Sequence, residues 1–147
     1  MSKRMMIAVF SLGGIFLATY LTLYKLGFIE ALACGTGSCE VVQASRWSRL
    51  FGQPVALYGV GFYVAMFALS AAGSFGALIE SKRVSELLAA LSLSGVLFSS
   101  YLTYIEVGVL HEICRWCVGS FCIVIVLFGL SCADWAEQRK ENRPAAD

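Results

Sequence analysis

The chain has 147 residues, of which 59% are hydrophobic and only 14% are charged, and its formal net charge is +1. Soluble globular domains carry about 25% charged residues, so this composition excludes an ordinary water-soluble domain. A net charge this close to zero also provides no electrostatic basis for binding nucleic acid. We therefore expect a single integral membrane domain over residues 1–147.

Four charge-poor stretches are long enough to cross a membrane as helices, because a bilayer core requires about 20 apolar residues. In chain order they cover residues 5–24, 56–72, 84–107 and 114–133. A cleavable signal peptide is the alternative for the first stretch, but such peptides have an apolar core of only about 7–15 residues. Pro54 suits the start of the second helix. The pattern predicts an all-α bundle of four transmembrane helices.

Basic residues indicate how these spans are oriented. Four spans place both termini on one side of the membrane, and that side collects Lys3, Arg4, Lys82, Arg83, Arg139, Lys140 and Arg143. The opposite side carries Lys25, Arg46, Arg49 and Arg115. The positive-inside rule then places both termini in the cytoplasm. In this orientation, residues 25–55 form an external loop between the first two helices, and residues 134–147 form a charged cytoplasmic tail that is expected to be helical at first.

Four of the six cysteines form two close pairs. Cys34 and Cys39 flank Gly-Thr-Gly-Ser in the external loop, and Cys114 and Cys117 form Cys-Arg-Trp-Cys at the external start of the fourth helix. Sulfurs three residues apart at a helix start share one face, where the positive end of the helix favours thiolates. Two dithiols on the oxidising side of a membrane indicate electron transfer by disulfide exchange. The alternatives are structural disulfides or a site in which all four thiolates bind zinc.

The other two cysteines, Cys122 and Cys132, fall inside the fourth span. A cysteine within a helix bundle usually behaves as a small hydrophobic residue, so we expect both to be structural. His111 lies just before the Cys-x-x-Cys motif, where it is either an ordinary interfacial histidine or an acid–base group.

A longer pattern runs through the loop and into the second helix. Six residues after Cys39 comes Ser45, followed by the turn Phe51-Gly52-Gln53-Pro54 and a helix rich in small residues. Together with the Cys-x-x-Cys motif that opens the last helix, this pattern resembles the vitamin K epoxide reductase family over about residues 5–132. The resemblance implies a four-helix membrane bundle with thiol:quinone oxidoreductase activity. The short chain is most similar to stand-alone bacterial members, which lack a fused thioredoxin-like domain.

The resemblance also implies a role for each residue of the motifs. Cys34 would react with an external partner, a periplasmic thioredoxin-fold (DsbA-like) disulfide donor, and Cys39 would then exchange with Cys114. Cys117 would reduce ubiquinone or menaquinone within the bundle, while Ser45 would position the loop. The protein would reside in a bacterial inner membrane, with its active cysteines on the periplasmic side.

Two features depart from the family pattern. The loop cysteines are closer together than in most members, and Val55 and Phe121 stand where the vertebrate enzyme has its quinone-binding Asn and Tyr. Vitamin K epoxide is therefore not the expected substrate. The functionally related DsbB family has its Cys-x-x-Cys pair first in the chain, which is the reverse of the order found here. A non-enzymatic membrane scaffold, held by structural disulfides or by a four-cysteine zinc site, is the alternative function.

The quinone site is predicted from aromatic residues near the active motif. Phe121 lies four residues after Cys117 and so shares its helix face. Tyr58 and Phe62 on the second span are placed to line an apolar pocket. Ordinary packing within the bundle, or an aromatic belt at the membrane interface, is the alternative for each of them. No metal site is expected.

Overall fold

The structure is a computed structural model that describes residues 3–28, 44, 46, 49–74, 82–111, 113 and 115–141. Its helices are α1 (Lys3–Lys25), α2 (Val55–Ser74), α3 (Lys82–Ile105), which continues as a π-helix over Glu106–Leu110, and α4 (Arg115–Glu141). A two-stranded antiparallel hairpin, formed by β1 (Arg49–Leu50) and β2 (Gln53–Pro54), immediately precedes α2. Within these residues four helices are long and apolar enough to cross a membrane, which confirms the expected all-α four-helix bundle.

The last two helices extend past the expected spans at their C-terminal ends, whereas α1 and α2 agree with the expected spans to within two residues. The expected third span stops at residue 107, inside the π-helix that continues α3 to Leu110. The expected fourth span stops at residue 133, and α4 continues to Glu141, which agrees with the expectation that the charged tail begins as a helix. The added turns of α4 carry Asp134 and Glu137, and both carboxylates pair with basic residues at the start of α1. Tertiary contacts therefore keep this charged segment helical.

Each of α1, α2 and α4 buries a narrow stripe that combines small and larger residues. The stripes are Ile7, Ser11, Gly14, Ala18 and Leu21 in α1, Tyr63, Met66, Ser70 and Gly73 in α2, and Val124, Leu127, Ser131 and Asp134 in α4. Spacings that alternate between three and four residues keep a stripe on one side of a helix, as in supercoiled bundles. Small side chains on such stripes let helices approach closely in a membrane. Large hydrophobic side chains such as Phe16 and Leu97 lie exposed on the outside, where lipid would cover them.

The side chain of Tyr63 fixes the packing of three helices near the middle of the bundle. It is the largest fully buried side chain among the described residues, and it packs directly on Gly14 of α1. The Tyr63 hydroxyl lies 2.6 Å from the Oγ atom and 3.1 Å from the carbonyl oxygen of Ser120 on α4. A Cβ atom added at Gly14 would overlap the tyrosine ring, so this position requires glycine.

We expect Gly14→Ala to lower the free energy of unfolding by about 1–3 kcal/mol, the usual effect of forcing an extra methyl group into a packed core. The matched control is Gly13→Ala, because no atom lies within 4 Å of a Cβ added at that neighbouring glycine. Thermal unfolding in detergent, followed by circular dichroism, compares the two variants. Equal melting temperatures would show that the Gly14–Tyr63 contact does not limit the packing.

A buried ion pair joins all four helices at one end of the bundle. The Nε atom of Arg4 donates a hydrogen bond to Asp134 Oδ2 at 3.1 Å, and its Nη1 atom donates to the carbonyl oxygen of Gly73 at 2.7 Å. Its Nη2 atom donates to Ser85 Oγ at 3.0 Å. The Ser85 hydroxyl in turn donates to Asp134 Oδ2 at 2.5 Å. We call these four residues the Arg4 cluster.

The Arg4 cluster establishes which helix ends lie together. It brings the start of α1, the end of α2, the start of α3 and the end of α4 to one side, as a chain with four spans requires. Arg4 itself is only 4% exposed, so it is a buried structural residue and not a basic side chain in solvent. At the same end, the exposed side chains of Lys3 and Glu137 form an ion pair of 2.5 Å.

Candidate functional site

The opposite end of the bundle begins with the hairpin that leads into α2. Its two central residues, Phe51 and Gly52, have φ angles of 53° and 80°. Positive φ at both positions is the signature of a type I′ turn, which matches the twist of the two strands. The Tyr58 hydroxyl donates a hydrogen bond to the carbonyl oxygen of Leu50 at 3.0 Å. The Phe-Gly-Gln-Pro motif therefore forms the turn of a hairpin, and a hydrogen bond joins this hairpin to the first turn of α2.

A cavity of about 460 Å³ lies inside this end of the bundle. All four helices contribute to its wall: Leu17 and Leu21 from α1, Tyr58, Phe62 and Tyr63 from α2, Phe98, Ser99 and Thr103 from α3, and Cys117, Ser120 and Val124 from α4. Sites for small organic molecules are typically apolar cavities of about 300–1,000 Å³ with a few polar groups. The size and the mostly apolar lining of this cavity are thus those of a typical site for a small organic molecule.

Cys117 brings a sulfur atom to the wall of this cavity. The residue lies in the first turn of α4 and is half-buried. Its side chain packs in a small apolar cluster with Leu21 of α1, Ala56 of α2 and Leu110 of the π-helix. The neighbouring Trp116 ring packs against Tyr20, with ring centroids 5.1 Å apart. The start of α4 thus packs on α1 through Trp116 and Cys117, and Cys117 forms part of the cavity wall.

Two of the three residues predicted for the quinone site line the cavity. Tyr58 and Phe62 both form part of its wall, and the Phe62 ring packs edge-to-face on Tyr63 at 5.2 Å. Phe121 is half-buried on α4 but does not belong to the described lining. The reason is helical geometry. Ser120, three residues after Cys117, faces the cavity. Phe121 is the next residue, so its side chain is rotated by about 100° around the helix axis relative to that of Ser120.

The remaining predicted site residues fall outside the described part of the chain. They are Cys34, Cys39, Ser45 and Cys114, so the structure describes neither the loop pair nor the first cysteine of the Cys-x-x-Cys motif. Within the described residues, no group of three His, Cys, Asp or Glu side chains is placed to hold a metal ion. Three of the four cysteines that would bind zinc in the alternative site lie outside the described residues. The predicted roles of these residues therefore stay predictions.

The structure also describes the surroundings of Cys122, Cys132 and Glu106. Cys122 is exposed on the outer surface of α4, whereas Cys132 is half-buried. Glu106 was included in the third span without a role, yet its side chain is 4% exposed and lines the cavity. The signal in the sequence is the carboxylate itself, because an ionisable residue within a membrane span is rare and commonly functional.

Comparison with known families agrees with this geometry. A family model described as "Vitamin K epoxide reductase family" matches residues 5–132. The matched region includes the hairpin, the cavity and both cysteine pairs, and it covers nearly the whole chain.

Proposed function

The chain belongs to the vitamin K epoxide reductase family, a family of membrane oxidoreductases that use quinone-type electron carriers, and from this premise we propose its reaction. The protein acts as a thiol:quinone oxidoreductase. It re-oxidises a periplasmic thioredoxin-fold (DsbA-like) disulfide donor and reduces ubiquinone or menaquinone, and so supports disulfide-bond formation. The observation that carries this proposal is the position of Cys117 in the wall of a cavity that residues of all four helices line.

The proposed electron path uses two disulfide exchanges and one oxidation. The partner dithiol reduces the Cys34–Cys39 disulfide and becomes a disulfide itself. The resulting dithiol reduces the Cys114–Cys117 disulfide, with Cys39 attacking Cys114. The Cys114–Cys117 dithiol then closes again to a disulfide, and its two electrons and two protons convert the quinone to a quinol. Such exchange steps proceed through thiolate attack on a disulfide sulfur, so each step conserves electrons.

The described residues fit a quinone ring in the cavity. Its volume of about 460 Å³ accommodates a substituted six-membered ring, and Phe62 and Phe98 offer apolar surface for the ring faces. The Tyr58 and Ser120 side chains supply hydroxyl groups in the same wall for polar contact with the quinone oxygens. Both hydroxyls also have structural partners, because that of Tyr58 donates to the carbonyl oxygen of Leu50 and that of Ser120 lies 2.6 Å from the Tyr63 hydroxyl.

We place the protein in a bacterial inner membrane with both termini in the cytoplasm. The end that holds the Arg4 cluster also carries Lys3, Lys82, Arg83, Arg139 and Lys140, whereas the cavity end carries Lys25, Arg46, Arg49 and Arg115. Because arginine and lysine accumulate on the cytoplasmic side, this difference supports a periplasmic position for the cavity end and the active cysteines.

Trapping a mixed disulfide tests the reaction with the partner. A thioredoxin-fold partner that keeps only its nucleophilic cysteine should form a covalent adduct with the chain, visible on a non-reducing gel. Cys34→Ala should remove this adduct, because the partner thiolate attacks Cys34. Cys117→Ala should leave it intact, because Cys117 acts only at the quinone end of the path.

Metal analysis of the same preparations distinguishes the scaffold alternative. Stoichiometric zinc in the purified wild-type chain, with no adduct at Cys34, would contradict the proposed oxidoreductase and favour a four-cysteine zinc site. An adduct that survives Cys34→Ala would contradict the assignment of the loop pair. An adduct that depends on Cys34, formed by a zinc-free protein, is the result that we expect.

A further inference from the structure

Glu106 places an acidic side chain in the wall of the cavity. It is the only acidic residue among the described residues that line this space, and it is 4% exposed. It begins the π-helix that extends α3 over Glu106–Leu110. Short π-helical segments within α-helices are frequent at functional sites, and ionisable residues inside membrane helices commonly belong to proton or substrate paths. The position, burial and local backbone of Glu106 therefore all point to a function.

The backbone of α3 directs this carboxyl group to the same space as Cys117. Ser99, Thr103 and Glu106 follow one another at spacings of four and three residues, so they share one helix face, and all three line the cavity. The π-helix ends at His111, whose backbone N–H donates to the carbonyl oxygen of Glu106. His111 has a φ angle of 54°, a left-handed conformation that stops the helix. The backbone at both ends of the segment thus holds Glu106 in place.

Quinone reduction by a dithiol requires proton movement inside this apolar space. Closing two thiols to a disulfide releases two electrons and two protons, and a quinone takes up the same number to become a quinol. Among the described residues, the other titratable groups facing the cavity are Tyr58 and Tyr63 of α2 and Cys117 of α4, while α1 contributes only apolar side chains. A carboxyl group readily serves as general acid and base, and a proton transfer of this kind typically accelerates a reaction by about 10²–10⁴-fold.

We propose that Glu106 is the proton-transfer residue of quinone reduction, an assignment that rests on the thiol:quinone oxidoreductase function proposed above. Its protonated carboxyl group gives a proton to a quinone oxygen and is re-protonated by one cysteine thiol, which becomes a thiolate. As the S–S bond closes, two electrons pass from the Cys114–Cys117 pair to the quinone, the carboxyl group gives its proton to the second quinone oxygen, and the resulting carboxylate takes the proton of the second thiol. The dithiol and the quinone are thus converted to a disulfide and a quinol, and Glu106 is regenerated.

The variant Glu106→Gln tests this role, because it keeps the size and hydrogen-bonding capacity of the side chain but removes proton exchange. We expect the rate of quinone reduction to fall by about 10²-fold or more. We expect oxidation of the partner thiol in a single turnover without quinone to stay at the wild-type rate. Quinone affinity, measured by quenching of tryptophan fluorescence, should also stay unchanged. Glu106→Asp should restore part of the lost rate, because it restores an exchangeable carboxyl proton.

The matched control is Glu86→Gln on the same helix. The Glu86 side chain is half exposed at the other end of α3, where it pairs with Lys82 at 3.6 Å. The same loss of one carboxylate at this distant position should leave quinone reduction unchanged. Infrared difference spectra between the oxidised and reduced protein give a readout that is independent of turnover. A carboxyl stretching band should appear in the wild type and in Glu86→Gln, and should be absent from Glu106→Gln.

Three results would overturn the proposal, and they are distinguishable. A Glu106→Gln variant that reduces quinone at the wild-type rate would exclude proton transfer by this residue while the oxidoreductase function stands. Loss of thiol oxidation together with quinone reduction in this variant would assign Glu106 a structural role. Failure of the wild-type chain itself to reduce quinone would overturn the proposed function and this inference with it.

Discussion

Cys117→Ala is expected to reduce quinone reduction to the uncatalysed background, a fall of about 10³-fold or more, because it removes a residue that forms a covalent bond in the reaction. The side chain lies in the cavity wall, so no other described thiol can replace it there. The assay measures quinol formation with a reduced thioredoxin-fold partner as electron donor. The change removes one sulfur from a half-buried site, so the helix bundle should stay folded.

Cys122→Ala is the matched control for this prediction. Cys122 lies on the same helix, but it is exposed on the outside of the bundle and does not line the cavity. Quinone reduction by this variant should equal that of the wild type. Equal losses in the two variants would show that any thiol removed from α4 disturbs the protein, and would contradict a specific role for Cys117.

Asp134→Ala is expected to lower the free energy of unfolding by about 3–5 kcal/mol, since removing one partner of a buried ion pair leaves the other charge without compensation. Asp134 accepts hydrogen bonds from Arg4 and from Ser85, and the side chains of the ion pair are almost completely buried. The loss would free the ends of all four helices at once. Unfolding by heat or denaturant in detergent, monitored by circular dichroism, measures the effect.

Glu137→Ala provides the control, because it removes a carboxylate one turn further along the same helix. Its ion pair with Lys3 is short, at 2.5 Å, but both side chains are exposed, and solvent screens such pairs strongly. Stability should change little. The double variant Arg4→Met/Asp134→Leu should recover part of the stability lost in Asp134→Ala, because apolar residues can replace a buried ion pair. Equal stability of Asp134→Ala and Glu137→Ala would contradict the structural role of the Arg4 cluster.

The four helices could be predicted from the sequence because the bilayer imposes a length and an apolar character on every span. Such a pattern does not identify which basic residue becomes buried. Arg4 and Asp134 are separated by almost the whole chain, and only the packed bundle shows that they meet. The same packing explains why α4 stays helical beyond the apolar stretch, to Glu141.

The functional site, like the fold, could be predicted from the sequence only in part. Spacing alone associated Phe121 with Cys117, since residues four apart lie on roughly the same helix face. The cavity, however, faces Ser120 and Val124, and only the arrangement of the neighbouring helices selects that side. The hydropathy pattern does not indicate a role for Glu106, because a span is recognised by its average hydropathy, which a single carboxylate hardly changes. Its significance depends on the π-helix and on the cavity, and both arise from the folded bundle.

The central claim is that a quinone is reduced in the cavity beside Cys117, and photolabelling with an azidoquinone tests it most directly. The protein is irradiated with the probe, with and without excess unlabelled ubiquinone, and the labelled residues are identified by mass spectrometry. We predict that the labelling suppressed by ubiquinone falls on the cavity wall, on residues such as Tyr58, Phe62 and Ser120. Suppressible labelling confined to outward-facing residues such as Phe16 and Leu97 would contradict the claim.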